Sequence, residues 1–392
     1  MNLLFTATSY VPAVGGAQIH LHEIAKRLLH DHEVDVATFW RTNRSDWLLG
    51  TTVLGPRNPD AYKVDGVSVH RLGFTPLEKA RLLLPTALYM PTLGMMAPAI
   101  ALLIVPKLEK LAANADLVHN IRIGREPLSL ASLQLAQRKD IPFVITPLHH
   151  PRWMNSRYAV FHRIFREADQ VIALTQAEKS MLIRLGVRDE AISVTGIGPV
   201  LSHDYDANEF LKKNEIETPF VLFLGQHYHY KGYSHLLAAA KRVWKEVPQT
   251  EFVFIGPSVG NSETEFRAVD RRIHRLGTVS LEDKTSALAA CDILCVPSTQ
   301  ESFGGVYVEA WSFSKPVVGC RIPAVSELIE DTVDGFLVAQ TAEDIADKLL
   351  ALLQNPKQAS ELGAAGRTKV ESRYQWSILL ERTLDAYRRA FS

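Results

Sequence analysis

Two carboxylates, Glu301 and Glu309, stand eight residues apart in the stretch ESFGGVYVEA, one on each side of the pair Gly304-Gly305. The apolar run DILCVPS before them reads as a strand, and the glycines open a helix expected to run through VYVEAWSFS as far as Lys315 and Pro316. Glu301 then sits in the loop and Glu309 a turn into the helix, so the two acids meet different chemistry. From the loop, Glu301 can accept hydrogen bonds from sugar hydroxyls, while the backbone N–H groups of Phe303, Gly304, Gly305 and Val306 can bind a phosphate or those same hydroxyls. One turn deeper, Glu309 can accept both hydroxyls of a vicinal diol such as a ribose. The alternative is structural, with Glu301 capping the helix and Glu309 held in an ion pair.

A second stretch of the same kind, FLGQHYHYKGYSHLL, places Gly225 at a strand end and Lys231 in the loop before a helix. A lysine there can neutralise a diphosphate, or it is a solvated loop residue. Near the start, SYVPAVGGAQIHLHEIAKRLL brings Gly15 and Gly16 to a strand-to-helix turn, where they either let backbone amides approach an anion or only shape the turn. Neither a G-x-G-x-x-G fingerprint nor a G-x-x-x-x-G-K-[ST] loop accompanies them, and those two nucleotide-binding classes lose support. The triplet DYD at 204–206 lies in a polar stretch rather than after a strand, which argues against a metal site.

These loops need a scaffold. With 392 residues, 47% hydrophobic and 22% charged, the chain reads as soluble, globular and too long for one ordinary core. Short β-rich runs (NLLFTATS, EVDVATFW, DLVHN, PFVITP, QVIALT, ISVTGI) alternate with helical patterns, which implies a parallel sheet covered by helices. After GPVLSHDYDANEFLKKNEIETP, a polar stretch that suits a linker, the alternation restarts with FVLFLG, EFVFIG, DILCVPS, PVVGC and GFLV. The expectation is an α/β fold of two doubly wound Rossmann-like domains facing a central cleft, 1–200 and 201–375, with the helical stretch 376–392 packing back on the first. Ligands in such sheets sit beyond the carboxyl ends of the strands.

Lys plus Arg equal Asp plus Glu at 43 each, so no bulk attraction to nucleic acid follows, and none is expected as a partner. Cys291, Cys295 and Cys320 lie in apolar runs and suit buried thiols of a reducing cytosol better than disulfides or zinc. The N-terminus MNLLFTATSY lacks the features of a secretion signal, and a cytoplasmic location is expected. Residues 82–106 are uncharged, flanked by Lys79, Arg81, Lys107 and Lys110, and long enough to cross a bilayer. Pro85, Pro91, Pro98 and Pro106 would break a spanning helix repeatedly. The expected form is a broken helical stretch packed on the sheet; the alternative is a patch dipping into a membrane surface, peripheral at its inner face.

Taken together, these stretches resemble the retaining glycosyltransferases of family 4, which have the GT-B fold, and the resemblance covers most of the chain. GGAQIHLHEIAKRLLHDHEVDVAT looks like their first glycine loop and helix, GQHYHYKG like their phosphate-binding loop, and ESFGGVYVEAWSFSKPVVG like their E-x7-E segment. The resemblance implies transfer of a hexosyl unit from a nucleotide-diphosphate sugar to a hydroxyl of a carbohydrate or lipid-linked acceptor, with the anomeric configuration kept and neither metal nor other cofactor required. It makes 1–200 the acceptor side and 201–375 the nucleotide-sugar side. By the same resemblance Glu301 contacts the donor sugar, Glu309 the ribose, and Lys231 with the glycine-loop amides stabilises the leaving diphosphate. Gly15, Gly16, Gly225, Phe303, Gly304, Gly305 and Val306 then line the donor. A family histidine near the transferred sugar corresponds to His149 or His150 in VITPLHHPRW, with His150 favoured. Where many members carry Arg after the loop glycine, this chain has Gln226, which keeps hydrogen bonding and removes a charge, and Arg321 is a candidate substitute. Two rival readings keep the fold and drop the transfer: a non-catalytic nucleotide-sugar-binding module, and a nucleotide-sugar epimerase, which fits the motifs less well.

Overall fold

Apolar runs bounded by turn residues become the strands of two sheets. The computed structural model describes every residue except Ser45 and Ala268. One compact unit comprises 1–195 with 380–392, the other 196–379.

The first unit holds β1 (Asn2–Ser9), β2 (Glu33–Trp40), β3 (Asp60–Val64), β4 (Val67–Arg71), β5 (Leu117–Ile121), β6 (Phe143–Thr146), β7 (Gln170–Ala173) and β8 (Ile192–Val194), in the order β3-β4-β2-β1-β5-β6-β7-β8. All neighbours are parallel except β3 and β4, a hairpin turned at Asp65 and Gly66 with φ of 48° and 83°. Positive φ at both turn residues matches the twist of the strands, and Asp-Gly supplies it at low steric cost. The second unit holds β9 (Phe220–Leu224), β10 (Glu251–Ile255), β11 (Ile273–Gly277), β12 (Ile293–Val296), β13 (Val317–Cys320) and β14 (Phe336–Val338), all parallel in the order β11-β10-β9-β12-β13-β14. Central strands such as β5, β9 and β12 are buried throughout because helices cover both faces. Strand order reverses between β1 and β5 in one sheet and between β9 and β12 in the other, the points at which sheets of this kind bind ligands.

Three expectations need correction. The polar stretch around 200–219 is not a linker: it contains the helix Ala207–Asn214, packed on the helix Leu281–Ala290 of the same unit. Asp206 of the DYD triplet caps it, accepting from the backbone N–H groups of Asn208 and Glu209. The helix carrying Glu309 is Gly305–Trp311 and stops short of Lys315, because Ser314 turns the chain at φ 55° toward β13. Residues 82–106 form parts of two helices, Pro76–Tyr89 and Ala97–Leu111, and only the second buries a continuous apolar face, through Ile100, Ala101, Ile104, Val105 and Leu108. No helix among the described residues is long and apolar enough to cross a membrane.

Late residues complete the first core. The hydroxyl of Tyr387, fully buried, lies 2.8 Å from Nδ1 of His119, whose Nε2 is 2.9 Å from the Thr146 hydroxyl. In the second unit Trp311, also fully buried, donates to the carbonyl of Asp334 at 2.8 Å and lies against Gly366, where a Cβ would come within 2.0 Å of the indole. Gly366→Ala is therefore expected to displace Trp311 and cost about 1–3 kcal/mol of stability. A urea midpoint unchanged from wild type would refute that packing.

Burial holds the imidazoles of His20 and His227 down to about 4 and that of His119 to about 3. The unfolded chain binds protons near the ordinary histidine value of 6.5 that the folded chain refuses, so stability is complete above that pH and falls as pH drops below it. Glu126, held protonated up to about 7 by burial, acts in the opposite sense and is outnumbered. The thermal midpoint should fall between pH 6.5 and about 5, above the range where carboxylates titrate; a flat or rising profile there would contradict these burials.

Candidate functional site

In the second unit, β9 ends at Leu224 and Gly225 follows at φ 156° with open space where a side chain would be. Gln226 is half-buried, and its carbonyl accepts from the N–H of Tyr228 at 2.8 Å. A single 3-10 turn, His229–Lys231, then meets Gly232 at φ 79°, where a Cβ would lie 2.4 Å from the carbonyl oxygen of Pro297. That close approach fixes the β9 loop against the end of β12. Gln340 adds a second tie, donating to the carbonyls of Tyr230 at 2.9 Å and Pro297 at 2.6 Å.

The consequence is that Nζ of Lys231 lies 2.5 Å from Oε1 of Glu301, with both side chains mostly buried. After Glu301 come Phe303, 3% exposed and set edge-on to Tyr374, and Gly304 at φ 100°. Gly305 and Val306 begin the helix half-exposed. Tyr307 anchors it by donating to the carbonyl of Val296 at 2.6 Å.

Glu309, 7% exposed, is held by a residue that sequence reasoning missed. Nζ of Lys284 lies 2.8 Å from Oε1 of Glu309 and 2.7 Å from the carbonyl of Val200, and the N–H of Val200 donates to the same Oε1 at 3.4 Å. All of these contacts use Oε1, which leaves Oε2 to other donors. Lys284 stands on the helix Leu281–Ala290, a run whose sequence shows only an N-capping Ser280, so nothing local marked it. Each of the two acids thus has its own lysine. Arg321 does not join them: its guanidinium is tied to Asp331 at 2.8 Å and to the carbonyl of Leu337 at 3.1 Å.

In the first unit, Gly15 precedes the helix Gly16–Leu28, which no side chain caps, and Gly16 faces open space. Gly15 is extended, and a Cβ there would meet Oε1 of Gln18 at 2.4 Å. His149 and His150 follow β6. The His149 ring is 1% exposed among Trp153, His162 and Phe165, its two nitrogens lack hydrogen-bond partners among the described residues, and burial with the nearby Arg122 charge pushes it down to about 3. It is neutral at physiological pH. His150 is half-buried and sets its ring edge-on to Trp153 at 4.6 Å, so of the two it is the one with surface to offer a ligand.

Comparison with known proteins adds family and fold. Residues 206–369 match the family described as Glycosyl transferases group 1, and residues 15–198 match the Glycosyl transferase 4-like domain. An uncharacterized glycosyltransferase of Methanocaldococcus jannaschii is 25% identical over 380 residues, covering 94% of this chain and 92% of that one. The phosphatidyl-myo-inositol mannosyltransferase of Mycobacterium tuberculosis is 31% identical over 175 residues, 43% of this chain, and the match spans 46% of that protein's length. Among solved structures, Anabaena HepE in complex with UDP and glucose superposes with a TM-score of 0.75 at 20% identity, covering 99% of both chains.

Removing Lys284 strands a mostly buried carboxylate, and losing one partner of a buried pair costs about 3 kcal/mol or more. Lys284→Ala should therefore lower the urea midpoint clearly, and Lys284→Ala with Glu309→Gln should recover much of the loss. Equal midpoints for the single variant and wild type would show that the pair holds nothing in place.

Proposed function

Since the chain belongs to the family 4-type glycosyltransferases, with two Rossmann-like domains of the GT-B kind, we propose that it moves a hexosyl unit from a nucleotide-diphosphate sugar to an acceptor hydroxyl with retention and without a metal ion. The observation that carries this reading is the Lys231–Glu301 pair beside Gly225, where the space for a side chain is open, on loops leaving the two strands where the order of the second sheet reverses. In the transfer the bond from C1 to the diphosphate oxygen breaks, a bond from C1 to the acceptor oxygen forms, and the acceptor proton leaves with the diphosphate or solvent.

The diphosphate takes the place of Glu301 on Lys231, and negative charge growing on the leaving group is met by Lys231 and the amides of Gly304, Gly305 and Val306. Freed from its lysine, Glu301 accepts from hydroxyls of the donor sugar. Glu309, with Oε1 fixed by Lys284 and Val200, offers Oε2 to the ribose diol. Gly225 and Gln226 contact the diphosphate, with Gln226 supplying hydrogen bonds but no charge. Phe303 packs beneath this loop. Of the two histidines of the first unit, half-buried His150 rather than buried, neutral His149 is the one able to meet a ligand.

A thermal-shift panel of UDP-, GDP- and ADP-sugars identifies the donor, since ligand at about 100 times its dissociation constant stabilises by about 2.7 kcal/mol. Acceptor-dependent release of nucleoside diphosphate in the presence of a chelator is then expected; binding without turnover would indicate a non-catalytic module, and an isomerised donor an epimerase. Lys231→Ala should lower kcat about 100- to 1,000-fold. Glu301→Gln should also lose kcat yet bind the free nucleoside diphosphate at least as tightly as wild type, because Lys231 no longer has a carboxylate to give up. Weaker diphosphate binding in that variant would rule out the exchange.

A further inference from the structure

The helix Pro76–Tyr89 turns its apolar residues outward. Its buried side holds only Leu82, Thr86 and Tyr89, whereas Leu77, Leu83, Leu84 and Leu88 are exposed, Leu84 by 68%. The turn that follows adds exposed Met90, Leu93 and Met95, the last by 72%. A surface helix ordinarily faces its apolar stripe to the core, and an exposed apolar surface of this kind marks a place of interaction.

Leu93 also lines an open recess of about 730 Å³ with Arg152, Trp153, Arg157 and Tyr158, large enough for a phosphorylated head group. Around its aromatic floor stand further cations. The guanidinium carbon of Arg122 lies 3.7 Å from the centre of the Trp153 ring, that of Arg152 4.7 Å from the same ring, and that of Arg125 5.8 Å from Tyr158. Other arginines of this unit such as Arg163 and Arg188 have carboxylate partners, but Arg122, Arg125, Arg152 and Arg157 have none among the described residues. Glu178, whose charge reaches Arg122, is occupied by the backbone N–H groups of His149 and Leu174. Residues 79–108 and 141–166 contain several Lys and Arg and not one Asp or Glu, although over the whole chain the two signs are equal in number. A second copy of this chain would bring the same cations face to face, whereas an anionic membrane matches both the apolar surface and its charge.

We propose that this recess takes the phosphate of a membrane-borne lipid acceptor while the exposed face of the helix Pro76–Tyr89 and its following turn seat in the surrounding bilayer. Calling the lipid an acceptor rests on the transferase reading; binding itself is measured without turnover. The test is co-sedimentation of the full chain with vesicles of phosphatidylcholine alone or with phosphatidic acid. Wild type should bind the anionic vesicles and not the neutral ones, Arg152→Gln and Arg157→Gln should each weaken binding about fivefold, and Leu84→Glu with Leu88→Glu should abolish it. Both leucines are solvent-facing, so the fold should survive, and donor binding by thermal shift should be unchanged in every variant.

Four results would overturn the proposal: equal binding to both vesicle types, anionic binding that persists in either set of variants, a wild-type dimer dissolved by the leucine substitutions, or glycerol phosphate bound through Arg152 and Arg157 without any vesicle binding. Each of these leaves the transferase assignment standing. Conversely, absence of donor binding by wild type would strike the transferase and not the lipid site.

Discussion

The contact between Lys231 and Glu301 is the constraint around which the second unit is arranged. Their positions are 70 apart in sequence, and each is fixed by the loop at the end of a different central strand. Taking both charges out of water is tolerable only if they meet, because a buried ion without its partner costs several kcal/mol. Several features around the pair serve that meeting. Gly232 allows the loop of one strand to touch the carbonyl of Pro297 on the other, Gln340 bridges the two, and Tyr307 pins the start of the next helix to Val296. None of these three touches both charges, yet each sets how closely their loops approach.

The two units treat charge differently. In the second, lysine meets carboxylate twice, Lys231 with Glu301 and Lys284 with Glu309, so the groups with the right chemistry for an anion and for hydroxyls are already neutralised by one another. In the first, beside its own ion pairs, Arg122, Arg125 and Arg152 lie on aromatic rings without a carboxylate in salt-bridge contact among the described residues. Each partner of a buried pair relieves the cost of leaving the other charge without a counterion. Unpaired charges raise the local potential and draw an anion from a distance.

How much of this was legible in the sequence depended on whether the signal was local. Strands β1, β2, β5 to β10 and β12 to β14 announce themselves as apolar runs, and the glycine turns and the place of Glu309 inside a helix follow from spacing. The β3–β4 hairpin gives a weak strand signal although Asp65-Gly66 is a strong turn signal, because DAYKV and VSVHR mix exposed polar residues into short runs. β11, IHRLG, is an edge strand with only half-buried side chains and carries too little apolar character to stand out. At the site, residue types were readable and partners were not. Lys284 meets Glu309 only because the helix of one lies beside the helix of the other, and Arg321, which looked free to serve as a substitute cation, is held by an aspartate ten residues on.

Tyr387 reaches the core of the first unit from a position 268 residues after its hydrogen-bond partner His119. On the ribosome, then, the first sheet emerges and waits: its hydrophobic interior stays one element short until the whole of 196–379 has been made. The order of synthesis and the order of completion are reversed, since the later unit can close by itself while the earlier one stays open. A nascent first unit in that interval has exposed apolar surface beside β5 and is the stage of biogenesis at which chaperone protection matters most.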